Sequence, residues 1–68
     1  MKIVQTTKPP AEGTSLDIVT AQGKLPEINS TVEFIKNKKA VALAIVIQHT
    51  SPATYKVLIV ASETGGTP

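Results

Sequence analysis

The chain contains no cysteine, no arginine and no tryptophan, and its only aromatic residues are Phe34 and Tyr55. Each absence removes a class of chemistry. Without cysteine there are no disulfides, no thiolate metal ligands and no thiol nucleophile. Without arginine there is no planar guanidinium fork for bidentate recognition of phosphate or guanine. Two aromatic rings are too few for a base-stacking platform. All seven cationic side chains are lysines and the net charge is +2, so basicity argues only weakly for nucleic acid. The longest apolar run covers residues 40–47, far short of the ~20 residues a membrane-spanning helix needs. The opening Met1, Lys2, Ile3, Val4 and Gln5 have no long apolar segment behind the lysine, so the expectation is a chain without a secretory leader, cytoplasmic or borne in a virion.

With 68 residues the chain reads as one small domain, near the lower limit at which a single hydrophobic core suffices. Disulfides and thiolate metal sites are already excluded. Self-association or docking on other protein is therefore the expected additional support.

The strand signals are strongest in the second half. Thr31 to Lys36 alternates with a period of two, and Asn37 with Lys38 supplies a two-residue turn, although the usual glycine is missing. Residues 39–49 form the next strand. At ~3.3 Å per residue it would extend roughly 30 Å, so a bend that serves two sheet faces is expected. Thr50, Ser51, Pro52 and Ala53 turn the chain, and Thr54 to Ser62 returns. Helix is disfavoured for residues 40–47, where four of eight residues are β-branched and no cap precedes them. Earlier in the chain, residues 1–7 and 15–21 read as strands, separated by a loop with Pro9, Pro10 and Gly13 and followed by a break at Gln22, Gly23 and Pro26. A short helical turn fits residues 26–30. No internal repeat is apparent.

These elements predict an all-β fold, a small five-stranded antiparallel barrel or sandwich with a C-terminal three-stranded meander and extended termini. Residues 1–14 give an N-terminal strand and proline-rich arm, 15–62 the core and 63–68 a tail. In the central strand, alternation sets Val41, Leu43, Ile45 and Ile47 on one side and Ala40, Ala42, Ala44 and Val46 on the other. The large side chains are expected to fill the core, and the small ones to admit another chain at close range. Tyr55, Val57 and Ile59 against Lys56, Leu58 and Val60 repeat the two-sided pattern. Ala42, Ala44, Val46, Leu58 and Val60 are accordingly the expected protein interface, with residues 1–10 and 62–68 as attaching arms.

Polar residues suggest little chemistry. Lys36, Lys38 and Lys39 cluster at the hairpin tip and, with Lys56, could contact an anion, although lysines at turns are ordinarily solvated and also protect sheet edges. His49 is the only histidine; beside Thr50 and Ser51 it invites a nucleophile reading, but neither a third group nor an oxyanion pocket is visible. The carboxylates Glu12, Asp17, Glu27, Glu33 and Glu63 are dispersed and form no metal or acid-base pattern. Asn29, Ser30 and Thr31 match a glycosylation acceptor but read as turn chemistry. Gly65 and Gly66 lack the context of a phosphate loop.

The functional expectation is a non-enzymatic structural or assembly protein without catalytic residue, metal or cofactor. It would pack against identical copies or a larger protein array, as virion decoration, shell or accessory subunits do. The alternative is a small nucleic-acid-binding barrel that uses Lys36, Lys38, Lys39 and Lys56, with Tyr55 stacked on a base. An inhibitor that docks a sheet edge on an enzyme shares the interface logic of the first reading.

Overall fold

A computed structural model describes residues 2–20 and 24–63. Met1, the expected strand end at Ala21, the break at Gln22 and Gly23, and the tail residues 64–68 lie outside the described residues. Five strands carry the chain: β1 (Lys2–Gln5), β2 (Ser15–Val19), β3 (Thr31–Lys36), β4 (Lys39–Ser51) and β5 (Thr54–Ser62). They form one sheet in the order β1-β3-β4-β5-β2, curled into a half-barrel. The meander β3, β4, β5 is antiparallel as expected, and β2 adds antiparallel to β5. β1 instead lies parallel to β3, so the sheet is mixed where an antiparallel one was expected. Connectivity is the reason. Between β1 and β3 the chain travels through β2 on the opposite edge, a crossover long enough to bring it back in the same direction. Residues 26–30 form a turn, not a helical one.

The β3–β4 turn places Asn37 at φ 53 and Lys38 at φ 66, the doubly left-handed geometry of a two-residue hairpin turn whose twist matches that of the strands. Two further tight turns share one design. Before β2, Thr14 N–H and Oγ1 both donate to Ala11 O, Gly13 N–H donates to Ile59 O at 2.8 Å, and Ile59 N–H donates to Thr14 O at 2.9 Å. Before β3, Ser30 N–H and Oγ both donate to Glu27 O, Asn29 N–H donates to Val46 O at 2.8 Å, and Val46 N–H donates to Ser30 O at 3.0 Å. Each is a bulge with two residues opposite one, and its first residue, Gly13 at φ 87 or Asn29 at φ 75, occupies the left-handed region that glycine and asparagine tolerate.

The two bulges reveal an internal repeat that the sequence reading missed. Residues 8–19 align without a gap on residues 24–35: Gly13 on Asn29, Thr14 on Ser30, Leu16 on Val32, Asp17 on Glu33 and Ile18 on Phe34. Only Lys8 with Lys24 and Pro10 with Pro26 are identical within this window, so the likeness lies in turn chemistry and size. The sheet obeys the same relation. Ile45 of β4 faces Leu58 of β5, and the ladder shifts on either side, leaving Ile47 extra on β4 and Val60 extra on β5. An approximate two-fold axis through the sheet between Ile45 and Leu58 thus exchanges β4 with β5 and β3 with β2. Among the described strands, β1 alone has no counterpart.

The core is Val32, Phe34, Val41, Ala42, Ala44, Val46, Tyr55, Val57 and Ile59, with Val4, Leu16, Ile18 and Leu25 packed against it. This inverts most of the expected facing of β4. Ala42, Ala44 and Val46 lie inside, whereas Leu43 and Ile45 are half-buried on the outer face and Ile47 is exposed. Neighbouring size decides the matter. β3 and β5 already fill the core side with Val32, Phe34, Tyr55, Val57 and Ile59, so the strand between them can contribute only small side chains there. Phe34 sits opposite Ala42, and its two-fold counterpart Ile18 sits opposite Tyr55, one ring to each pair. Val41 joins the core as expected, because a register shift after Phe34 leaves it as an extra residue.

Among the described residues, Lys38 is the only left-handed position that is neither glycine nor asparagine. The variant Lys38→Gly is expected to raise unfolding free energy by roughly 0.5–1 kcal/mol through relief of that conformation. The readout is the denaturant midpoint, and a lowered midpoint would show that the lysine side chain itself holds the turn.

Candidate protein-binding surface

Partners across a β-ladder share a face, so the register maps the outer surface. One row crosses the sheet as Thr31, Ile45, Leu58 and Ser15. The next runs Ile3, Glu33, Leu43 and Ala61. Ile47 and Val60, the extra residues of the β4–β5 ladder, border the two rows. Ile47 is 42% exposed, Leu58 38% and Val60 41%, values that set a group of branched aliphatic side chains of β4 and β5 in solvent; Ile3, 50% exposed, lies beyond Glu33 on β1. A shallow concavity of about 340 Å³ extends this surface between Val41 and Leu43 of β4 and Ala61 and Ser62 of β5. Polar side chains flank it: Glu33 on the β3 side, and Asp17 in register with Lys56 on the β5–β2 side.

Of the expected interface residues, Leu58 and Val60 belong to this surface. Ala42, Ala44 and Val46 do not, since they are sealed in the core at 7%, 0% and 0% exposure. The outward set that alternation missed is Leu43, Ile45 and Ile47. Its signal was side-chain size relative to the flanking strands, which becomes usable only once the strand order is known.

Lys36, Lys38 and Lys39 come together at the β3–β4 tip, where Lys36 and Lys39 are ladder partners. Lys56 lies apart from them on β5. Lys39 Nζ lies 3.4 Å from Glu63, with both side chains largely in solvent, a contact worth little in water. His49 Nε2–H donates to Pro26 O at 2.6 Å, which ties the end of β4 to the loop that covers the core. Ser51 Oγ accepts from Ala53 N–H and Thr50 Oγ1 donates to Thr54 O. The three polar side chains that suggested a nucleophile site are therefore engaged with backbone groups. Among the described residues no group of three or more histidines, cysteines or carboxylates could hold a metal, and no helix is long and apolar enough to cross a membrane.

Tyr55 is not placed for stacking on a base, as the alternative reading required. It is fully buried, and Phe34 is 4% exposed. The Tyr55 hydroxyl has no hydrogen-bond partner, and burial pushes its ionisation above the ordinary tyrosine value. No family model, curated protein or solved structure matches the chain, so the surface geometry is what bears on function.

A buried hydroxyl without a partner costs about 1–3 kcal/mol, so Tyr55→Phe is expected to raise stability by about 1 kcal/mol. The raised Tyr55 pKa means that the folded state holds the proton more tightly than the unfolded one. Its contribution is complete below pH ~10 and is lost as pH rises through the folded-state value. Denaturant unfolding of both proteins from pH 7 to pH 11 reads this: the advantage of Tyr55→Phe should widen above pH 10. A variant less stable than wild type at pH 7 would mean that the hydroxyl is satisfied.

Proposed function

We propose that this chain is a non-enzymatic assembly module that packs its outer sheet face against other protein, either identical copies or a larger array of the kind built from virion decoration, shell or accessory subunits. The observation that carries this reading is the block Leu43, Ile45, Leu58 and Val60, bordered by Ile47 and standing on the solvent side of the sheet. Scattered apolar residues are normal on a protein surface, but a contiguous group rimmed by charge marks an interaction site. Each side chain of this kind contributes about 1.5–3 kcal/mol when fully removed from water. Even partial burial of several is substantial against the marginal stability of so small a domain. Support for the nucleic-acid alternative falls to lysine charge alone, because neither aromatic ring reaches solvent.

Two lysine substitutions on the same sheet separate surface from core. Leu58→Lys is expected to reduce the mass in solution, measured by sedimentation at tens of micromolar protein, to that of one chain while preserving the β spectrum by circular dichroism. Ala44→Lys is expected to unfold the protein, since a buried unpaired charge costs several kcal/mol, on the order of the whole stability of a small domain. Wild-type protein that stays monomeric at millimolar concentration, with no broadening of its Leu58 or Ile45 methyl signals, would overturn self-association.

A further inference from the structure

The approximate two-fold leaves one position empty. β3 and β2 are equivalent edges of the four-stranded unit, and their residues match in type: Thr31 with Ser15, Val32 with Leu16, Glu33 with Asp17, Phe34 with Ile18 and Ile35 with Val19. β3 is covered by β1 in parallel register, and Thr6 N–H donates to Ile35 O at 2.9 Å. Among the described residues, nothing lies in that place along β2.

Hydrogen bonding fixes which backbone groups are open. Ile59 bonds the Gly13 and Thr14 bulge, and Thr20 N–H donates to Ala53 O, so alternation of the antiparallel ladder leaves Ser15, Asp17 and Val19 directed away from β5. Burial shows the consequence. Val32 and Phe34, beneath β1, are 0% and 4% exposed, whereas their counterparts Leu16 and Ile18 are only half-buried, and Val19 is 72% exposed. The edges also differ in protection. β1 is four residues long, places Lys2 on the core side opposite Val32, and runs on to Pro9 and Pro10, all features that deter further pairing. In β2, Asp17 is the only charge, and there is no proline.

We propose that the open edge of β2 accepts an extended strand from a partner protein in parallel register, in the position equivalent to that of β1 on β3. Main-chain bonds to Ser15, Asp17 and Val19 hold the strand, and an apolar side chain at every second residue completes the burial of Leu16 and Ile18, as Val4 does beside Phe34. The occupant is not this chain's own β1, which is already engaged. The edge is also distinct from the outer face, so its use does not depend on whether that face self-associates.

The probe is a synthetic peptide with the sequence of residues 2–7, Lys-Ile-Val-Gln-Thr-Thr, which already fits the equivalent edge. Added to isotope-labelled full-length protein, it should shift the amide signals of Ser15, Asp17 and Val19 saturably. Asp17→Pro removes a backbone donor on the open side without touching the β5 ladder, and should weaken binding by about tenfold or more, while Asp17→Asn should leave it unchanged. No shift up to about 5 mM peptide, equal binding by the proline variant, or shifts confined to β1 and β3 would overturn the proposal. So would shifts of the β2 amides with protein concentration alone, which would give the edge to a second copy.

Discussion

Everything in this fold follows from a shortage of material on one side of a sheet. β4 and β5 are apolar on both faces, but the chain has enough loop and side-chain volume to seal only one of them. Loop residues 24–30 close over that face through the His49 contact to Pro26 and the bonds of Asn29 and Ser30 to Val46. Loop residues 6–14 are anchored through Thr6 to Ile35, Gly13 and Thr14 to Ile59, and Pro10 O to Ser62 Oγ. Nothing in the described chain crosses the other face. Which face is sealed is decided by volume, because the alanines of β4 fit between the bulky core residues of β3 and β5 and the leucine and isoleucines do not. The exposed aliphatic surface is therefore a consequence of how the core packs, and any change that enlarges Ala42 or Ala44 attacks the fold before it reaches the surface.

The two-fold relation explains how so few residues curl a sheet this far. A bulge adds a residue on one strand and increases local twist. Here the Gly13 and Asn29 bulges sit at equivalent corners, and the extra residues Ile47 and Val60 bend the central ladder at equivalent distances from its centre. The expected bend of the long central strand is thus met by register shifts distributed about the axis and not by one kink. Asn29 achieves with a polar side chain what Gly13 achieves with none, both reaching the left-handed region that other residues avoid.

Much of this was legible in the sequence where one residue type had one structural meaning. The bounds of β3 and β5 and the Asn37 and Lys38 turn follow from alternation and turn chemistry, and the five-strand all-β class follows from them. The facing of β4 was not legible, since alternation separates two faces but cannot say which is inner when both are apolar; that depends on the side chains of strands not adjacent in sequence. The parallel placement of β1 was hidden for the same reason. The repeat was hidden because its halves share turn geometry and side-chain volume but few identities. Among the expected interface residues, Leu58 and Val60 face solvent as the two-sided pattern of β5 indicates, whereas the outward facing of Leu43, Ile45 and Ile47 was hidden with the inverted facing of β4.

The same symmetry bears on how a partner could tell one orientation of the surface from the other. Ile45 matches Leu58 and Ile47 matches Val60 across the axis, so the apolar centre offers nearly the same contact after a half-turn, and burial there gives affinity without direction. Direction must come from positions where the halves differ. The axis sets Leu43 against Lys56, an aliphatic side chain against a cation, and it sets the covered edge of β3 against the open edge of β2. Glu33 and Asp17, also exchanged, carry the same charge and do not discriminate. A partner that packs over Leu43 and meets Lys56 with an acceptor is favoured in one orientation alone, because the reverse arrangement would leave the lysine against apolar surface, where desolvation of an unpaired charge costs more than the aliphatic contact returns.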